Sequence, residues 1–139
     1  MFSYGRRVNV YETDLMSVVH HSNYLKYCEE ARVEWCKSRN FFLNKKKEED
    51  SSSVSCLTVY ETKVKHVLPL KYDDFFEVKI QAKVLGAKII FQYKMFVEAR
   101  LVCLAETTHC NLSSDLKVKR LDPHLKQIVE RELWTETWL

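Results

Sequence analysis

Two neighbouring stretches of the chain alternate apolar and polar residues, and a single glycine, Gly86, separates them. The apolar positions of the first stretch, residues 75–85, are Phe76, Val78, Ile80, Ala82 and Val84. Those of the second stretch, residues 89–97, are Ile89, Phe91, Tyr93, Met95 and Val97. Alternation places the apolar side chains on one face of a half-buried strand, and a lone glycine between two such runs suits a turn. The pattern therefore predicts an antiparallel hairpin with one apolar face.

Three further segments favour strands of the same sheet. Residues 58–68 alternate in the same way, and the positions predicted on the inner face are Tyr60, Thr62, Val64, His66 and Leu68. Residues 101–112 form another long run whose inner face is ambiguous, and residues 7–12 predict a short first strand. Together with the hairpin, these runs predict an antiparallel sheet of five strands.

One long segment, residues 23–38, departs from the alternation. Its apolar or small residues recur with helical spacing, at Tyr24, Cys28, Ala31 and Trp35. Either Ser22 or Asn23 is predicted to cap the first turn of this helix. A second helix is predicted from Asp122, with Pro123 in its first turn and apolar residues at Leu125, Ile128, Val129 and Leu133. The polar segment 44–55 predicts a solvated loop.

A sheet with one apolar face and a helix with one apolar stripe bury these surfaces best against each other. The sequence therefore predicts an α+β fold in which an antiparallel five-stranded sheet wraps around a long central helix. The order is strand, long helix, loop, four strands and terminal helix, and residues 1–139 form a single domain.

Composition excludes several classes of protein. The only glycines are Gly5 and Gly86, so a glycine-rich dinucleotide or phosphate-binding loop is excluded. The 22 basic and 19 acidic residues are interspersed along the chain, which argues against nucleic acid as a partner. No apolar run approaches the roughly 20 residues that span a membrane, and the first residues do not resemble a signal peptide. A cytoplasmic location is therefore expected.

The five cysteines are odd in number and include no C-x-x-C pair. That spacing argues against both a disulfide framework and a structural zinc site. Free, mostly buried thiols are predicted at Cys28, Cys36, Cys56, Cys103 and Cys110. No metal ion is expected.

Reactive side chains concentrate in residues 11–24, immediately before and at the start of the long helix. The segment contains the carboxylates of Glu12 and Asp14 and the imidazoles of His20 and His21. A carboxylate can act as a general base or a nucleophile, and the open amides at a helix start can stabilise an oxyanion. These are the two parts that hydrolysis of an acyl group requires.

The sequence resembles the hotdog-fold acyl-CoA thioesterases of the 4-hydroxybenzoyl-CoA thioesterase type, including the Tol-Pal-associated subfamily. The resemblance rests on Thr13-Asp14 and on residues 18–24, Val-Val-His-His-Ser-Asn-Tyr. It continues through residues 25–32, through Leu-Pro-Leu-Lys-Tyr-Asp-Asp at 68–74, and through Arg-Leu-Asp-Pro at 120–123. Nearly the whole chain is similar to the family, and segment 44–55 is the least similar part.

The resemblance implies that the protein is a thioester hydrolase acting on an acyl-CoA or acyl-carrier substrate. Asp14 matches the catalytic carboxylate, and the His21 backbone amide matches the group that polarises the thioester carbonyl, with its side chain as a helper. Substrate-binding positions are implied at Ser17, Val19, His20, Asn23, Tyr24 and Glu29. Coenzyme A enters as part of the substrate, no separate cofactor is implied, and the family site lies between the subunits of a homodimer that can pair into a homotetramer.

Other interpretations of these residues stay open. An isolated Asp14 would more often cap a turn, His21 could contribute only its backbone, and a mid-helix glutamate such as Glu29 is usually solvated. Ser17 stands where the family usually has glycine, which is unfavourable if the position requires a positive φ. The alternative function is a non-catalytic hotdog module that binds an acyl thioester, an acyl-carrier protein or another protein. Candidates to bind the nucleotide phosphates are Lys63, Lys65, Lys88 and Arg100.

Overall fold

The computed structural model describes residues 1–41 and 57–139. In chain order the elements are β1 (Ser3–Arg7), α1 (Ser22–Ser38), β2 (Leu57–His66), β3 (Phe75–Leu85), β4 (Lys88–Val97), β5 (Arg100–Leu112), β6 (Val118–Lys119) and α2 (Pro123–Glu130). The strands form one antiparallel sheet in the order β1-β3-β4-β5-β2, and β6 pairs with the end of β5. The α+β architecture and the order of the long elements are confirmed, and the short β6 makes a sixth strand that the sequence pattern did not indicate.

The core lies between α1 and one face of the sheet. The predicted helical stripe is buried at Tyr24, Cys28, Ala31 and Trp35. The alternating positions of the hairpin are also buried at Phe76, Val78, Ile80, Ala82, Ile89, Phe91, Tyr93 and Met95. Trp35 packs edge-on against Phe91, with the ring centroids 5.3 Å apart. These contacts join the helix to the middle of the sheet and confirm the predicted faces.

Several boundaries and faces differ from the sequence predictions. The first strand is residues 3–7, and residues 10–12 of the predicted strand form a single 3-10 turn. The predicted inner face of β2 is wrong at Tyr60, which is 59% exposed, because a β-bulge between Val59 and Glu61 shifts the alternation and Val59 pairs with His109 instead. Thr62 and His66 pair with β5 but are exposed at this edge of the sheet, and Leu68 lies beyond the end of β2. The second helix ends at Glu130, and Leu133 beyond it is exposed.

A chain of buried hydrogen bonds crosses the core from α1 to β2. Arg32 Nη1 donates to Tyr93 Oη at 3.1 Å, and Tyr93 Oη lies 2.8 Å from Thr107 Oγ1. The two ring nitrogens of His109 face Thr107 Oγ1 at 2.8 Å and the Leu57 carbonyl at 3.4 Å. A carbonyl can only accept, so we assign the His109 proton to Nδ1, which donates to Leu57. Nε2 then accepts from the Thr107 hydroxyl, and Thr107 Oγ1 accepts from the Tyr93 hydroxyl. Burial is the main cause that lowers the pKa of His109 to about 4, so the ring is neutral near pH 7.

The C-terminal tail, residues 134–139, lies across the outer face of the sheet. The Gln81 side-chain amide donates to the Glu136 carbonyl at 2.7 Å, and the Trp138 N–H donates to Gln92 Oε1 at 2.9 Å. Lys83 and Lys94 lie over the rings of Trp134 and Trp138, at 4.2 and 4.7 Å from their centroids. This cover explains why both glutamines are buried although they alternate with the core positions.

The cysteine predictions are confirmed wherever the structure describes them: Cys28, Cys36, Cys103 and Cys110 are free and buried. Burial raises the pKa of the Cys103 thiol to about 12 and that of Cys36 to about 11. Cys56 and the predicted loop 44–55 lie outside the described residues. In the described ranges, no helix has the length and apolar character needed to cross a bilayer.

Candidate active site

A short hydrogen-bonded turn presents Asp14 just before α1. Thr13 and Val19 form an isolated antiparallel bridge that closes the ends of the turn. Inside it, the Asp14 N–H donates to the Val18 carbonyl at 2.8 Å, and the Ser17 N–H donates to the Asp14 carbonyl at 3.0 Å. We name residues 13–19 the acidic turn. Its bonds fix the backbone on both sides of the Asp14 side chain.

The Asp14 carboxylate is exposed, and only one of its oxygens has a protein partner. Oδ1 accepts a hydrogen bond from the Met16 N–H at 2.7 Å, as is common for aspartate in a turn. Among the described residues, none donates to Oδ2. The side chain is therefore oriented by the backbone while one oxygen stays open to water or substrate.

Ser17 has φ +64°, in the left-handed region that favours glycine. The condition left open by the sequence is therefore met: this position adopts a positive φ, and serine occupies it with strain. The strain amounts to roughly 1–2 kcal/mol for a residue with a β-carbon. The acidic turn nevertheless closes with its hydrogen bonds intact.

The long helix begins without a side-chain cap. His21 is the N-cap residue, with φ −55° and ψ −29°, and its side chain accepts no capping hydrogen bond. The prediction of a Ser22 or Asn23 cap is therefore wrong. Within residues 1–41 and 57–139, the His21 backbone N–H makes no hydrogen bond. This N–H lies at the positive end of the helix dipole, where a developing negative charge is stabilised.

His20 occupies the bend between the acidic turn and α1. Its Nδ1 accepts the Ser22 N–H at 3.2 Å and also lies 2.8 Å from Ser22 Oγ. The neutral ring therefore has its proton on Nε2, since Nδ1 already accepts. The rings of His20 and His21 are 4.2 Å apart. Both imidazoles are exposed beside the open His21 N–H.

Three of the residues predicted to bind substrate are buried behind this surface. Val19 is 4% exposed, and its N–H donates to the Leu70 carbonyl at 2.8 Å. The Leu70 N–H in turn donates to Tyr24 Oη at 3.3 Å, and burial raises the pKa of that phenol. The Asn23 side-chain amide donates to the Glu12 carbonyl at 2.8 Å. The Val19 backbone and the Asn23 and Tyr24 side chains hold the acidic turn against the helix and residue 70, and the role of these residues in binding substrate stays a prediction.

Glu29 is separate from this hydrogen-bonded unit. It is exposed and lines an open groove of about 420 Å³ together with Tyr4, Lys26 and Glu30. Asp14, Ser17, Val19, His20, His21, Asn23 and Tyr24 are brought together, whereas Glu29 lies along the helix. Its predicted role near the site therefore stays a prediction.

An ion-pair cluster beside the acidic turn was missed by the sequence reasoning. Arg6 of β1 donates to both carboxylate oxygens of Glu12, at 2.8 and 2.6 Å. It also donates to both oxygens of Glu30 in α1, at 2.8 and 3.1 Å. The only signal in the sequence was the carboxylate of Glu12 close to Asp14, and no residue pattern linked it to Arg6.

Large apolar side chains are exposed around the acidic turn and along the edge strand. Their exposed fractions are 80% for Tyr11, 105% for Leu15, 79% for Met16, 59% for Tyr60 and 59% for Tyr72. A monomeric protein seldom exposes a concentration of apolar surface of this kind without a function. The surface fits cover by a substrate or by another subunit.

This geometry can be compared with known proteins. The sequence profile of the thioesterase-like superfamily matches residues 8–129. This range includes the acidic turn, α1, strands β2 to β6 and all of α2 except its last residue. The chain belongs to this superfamily. The resemblance to the hotdog-fold thioesterases is thereby confirmed, and family membership supports thioester hydrolysis as the general reaction class.

Individual relatives agree with the family. This member of the thioesterase-like superfamily is 41% identical over 110 residues to a provisionally named esterase of Aquifex aeolicus, covering 78% of this chain and 83% of the relative. It is 30% identical over 95 residues to the acyl-CoA thioesterase YbgC of Haemophilus influenzae, with 68% of each chain covered. Its fold is similar to that of Slr0204, a 1,4-dihydroxy-2-naphthoyl-CoA thioesterase of Synechocystis, with a TM-score of 0.82, 21% identity and coverage of 94% and 96%.

Two of the basic side chains predicted to bind nucleotide phosphates in this thioesterase-superfamily member are already engaged. Lys63 Nζ lies 3.6 Å from carboxylate oxygens of both Glu61 and Glu106. Lys88 Nζ lies 3.8 Å from the centroid of the Tyr60 ring. Lys65 and Arg100 are exposed and make no ion pair with a described residue. Which of the four side chains binds phosphate stays a prediction.

Proposed function

We propose that this protein hydrolyses the thioester of an acyl-CoA, or of a related acyl carrier, to a free acid and a thiol. The observation that supports this most directly is the open Asp14 oxygen in the same hydrogen-bonded unit as the unpaired His21 N–H. One group can act on water or on the acyl carbon, and the other can stabilise the oxyanion. The names of the thioesterase relatives support the same reaction.

Two chemical routes are compatible with this unit. In the first, the Asp14 carboxylate takes a proton from water, which attacks the thioester carbonyl. In the second, Asp14 attacks the carbonyl itself, the thiolate leaves, and water then hydrolyses the resulting anhydride. In both routes the His21 N–H donates to the carbonyl oxygen as it becomes negative. Neither route consumes an additional cofactor, and coenzyme A leaves as the thiol product.

We place the complete site between two copies of the chain. β2 ends the sheet of the described residues, none of which pairs with its outer edge, and its apolar side chains include the exposed Val59 and Tyr60. The exposed Leu15 and Met16 of the acidic turn are apolar surface of the same kind. A homodimer that covers both regions, with pairing into a tetramer as a further step, accounts for this exposure. The cytoplasmic location remains a prediction.

Thiol release from a panel of short, long, branched and aromatic acyl-CoAs tests the reaction. We expect Asp14→Asn to reduce kcat by at least roughly 100-fold on the preferred substrate, the scale of a lost general base. Asp115→Asn is the control, because Asp115 is also an exposed turn aspartate but follows β5. Wild-type turnover that Asp14→Asn leaves unchanged would refute the mechanism.

A proline substitution separates the backbone role of His21 from its side chain. The φ of −55° is compatible with proline, so His21→Pro removes the N–H without forcing a new φ. We expect His21→Pro to reduce kcat by about 100-fold, as for the loss of one oxyanion donor. His21→Ala keeps the N–H and should lose less. An equal loss in both variants would assign the effect to the imidazole.

The alternative is a binding module that retains the fold but not the reaction. The observation in its favour is the strained Ser17 in the acidic turn. Such a module would bind coenzyme A or an acyl-carrier protein in calorimetry and release no thiol from any acyl donor. Thiol release by the wild-type protein decides against it.

A further inference from the structure

Arg6 uses every N–H of its guanidinium at the junction of β1, the acidic turn and α1. Its donors reach both oxygens of Glu12, both oxygens of Glu30 and the carbonyl of Arg7. The planar group also lies over the Tyr27 ring, 4.7 Å from its centroid. Five donors in a fixed plane fit this arrangement, and the single ammonium of a lysine does not. The guanidinium therefore has one geometry in this site.

Glu12 links that guanidinium to the reactive segment. Its carboxylate also accepts the Asn9 N–H at 2.7 Å, and its side chain is only 7% exposed. Its backbone carbonyl accepts the His20 N–H at 2.9 Å and the Asn23 side-chain amide at 2.8 Å. Asp14 is two residues after Glu12, and His21 follows His20. Both reactive groups are thus one or two residues from an atom that this cluster fixes.

Arg6 and Glu12 are both ionised at neutral pH. Burial alone would raise the pKa of the Glu12 carboxyl, but hydrogen bonds from Arg6 and Asn9 outweigh it and hold the pKa below its ordinary value. Hydrogen bonding to Glu12 is the main cause that raises the pKa of Arg6. A buried pair of full charges contributes little net stability, since desolvation offsets the attraction. Such a pair is well suited to holding the backbone segments that carry it in one relative orientation.

We propose that Arg6 and Glu12 are positioning residues: their paired charges hold the Asp14 carboxylate and the His21 N–H in the register that thioester hydrolysis requires. This inference rests on the proposed function. Neither side chain touches the reacting atoms. The pair acts on the rate of the chemical step through the backbone of residues 12–21.

The chain contains a second ion pair that serves as a matched control. Arg39, after the end of α1, donates to both oxygens of Glu132, at 2.5 and 3.0 Å. It lies over the Trp35 ring at 4.8 Å, much as Arg6 lies over Tyr27. This pair joins the opposite end of α1 to the residues after α2. It has similar burial and chemistry without contact to the acidic turn.

The experiment compares Glu12→Gln with Glu132→Gln, and Arg6→Lys with Arg39→Lys, below the melting temperature of every variant. We expect Glu12→Gln and Arg6→Lys to reduce kcat about 10-fold or more with KM changed less than about 3-fold, the behaviour of a misplaced reactive group. Both Arg39 and Glu132 variants should keep kcat within about 2-fold of wild type, although all four lose unfolding free energy. Amide hydrogen exchange should accelerate at His20 and Val19 in Glu12→Gln and Arg6→Lys only.

The outcomes separate this inference from the proposed function. If the Glu12 and Arg6 variants lose stability but keep wild-type kcat and exchange rates, the pair is only structural and the inference is wrong. If wild-type protein releases thiol from no acyl donor, the proposed hydrolysis fails. In that case unchanged exchange at His20 and Val19 also overturns the positioning role, and faster exchange there supports it independently of turnover.

Discussion

The backbone carbonyl of Glu12 accepts a hydrogen bond of 2.8 Å from the side-chain amide of Asn23, in the buried space between the acidic turn and the first turn of α1. Asn23 is 9% exposed, so water does not replace this bond easily if it is lost. The bond joins the residue before Thr13-Asp14 to the helix whose first N–H is open. Local stability and the relative placement of Asp14 and His21 therefore depend on the same contact.

Replacing Asn23 by alanine should destabilise the protein and slow thiol release. We expect Asn23→Ala to lower the free energy of unfolding by about 1–3 kcal/mol, because a buried carbonyl loses one donor. Urea unfolding at pH 7 measures the loss. Asn9→Ala is the control, since the Asn9 side chain donates to Tyr11 Oη in an exposed setting. Equal losses in the two variants would contradict the importance of the buried bond.

Replacing Ser17 by glycine should stabilise the protein. The residue has φ +64°, so removal of its β-carbon relieves strain and should raise the free energy of unfolding by about 1 kcal/mol. Gly86→Ala is the reciprocal change, because Gly86 has φ +61° in open space and gains strain without a clash. Chemical denaturation of both variants should give shifts of opposite sign. A destabilised Ser17→Gly protein would show that the serine side chain itself is needed.

The free energy of unfolding should fall when the pH is lowered through the range in which His109 is protonated in the unfolded chain but neutral in the folded protein. The pKa of His109 is lowered from 6.5 to about 4 in the folded protein, chiefly by burial. The unfolded chain therefore binds a proton that the folded protein does not between these values, and stability is lost as the pH falls from about 6.5 to about 4. The full difference is about 3 kcal/mol.

Urea unfolding at pH 7 and at pH 4.5 tests this in two variants. His109→Gln removes the titrating ring and should flatten the pH dependence relative to wild type. His124→Gln, which changes an exposed histidine of α2, should leave the slope in place. The same slope in both variants would show that His109 is protonated equally in the folded and unfolded states.

Removing residues 134–139 should destabilise the sheet and leave thiol release intact. The deletion exposes Gln81 and Gln92 and removes the tryptophan contacts of Lys83 and Lys94. The expected loss in unfolding free energy is about 2–3 kcal/mol, the scale of two partly buried aromatic side chains. Thermal unfolding and thiol release are measured on the same sample. Loss of turnover without loss of stability would place the tail in the site.

The sequence pattern predicted the elements whose burial depends on local alternation. The β3 strand was predicted at its observed bounds, and β4 within one residue, because each buries one face along its whole length. The stripe of α1 was correct for the same reason. By contrast, Tyr60 was placed on the wrong face, since the β-bulge between Val59 and Glu61 reverses the alternation and no local residue pattern marks it.

The sequence identified the residues of the candidate site but not the contacts that support them. Asp14 and His21 lie in one continuous segment, so a motif can identify them together. Arg6 pairs both with Glu12, six residues after it, and with Glu30 in the middle of α1. No local pattern connects these positions, because β1 and α1 meet only in the folded chain. The burial of Gln81 was not predictable for the same reason, since the residues that contact it, Thr135 and Glu136, are distant in the sequence.

The docked tail also decides what tryptophan fluorescence reports. Of the three tryptophans, Trp35 is fully buried in the core, whereas Trp134 and Trp138 belong to the tail on the outer face. A fluorescence melt therefore weights the release of the six-residue tail more heavily than the melting of the core. Circular dichroism weights the sheet and α1 instead. Coincident midpoints from the two methods would mean that the tail and the core unfold as one cooperative unit, and an earlier fluorescence midpoint would mean that the tail opens first.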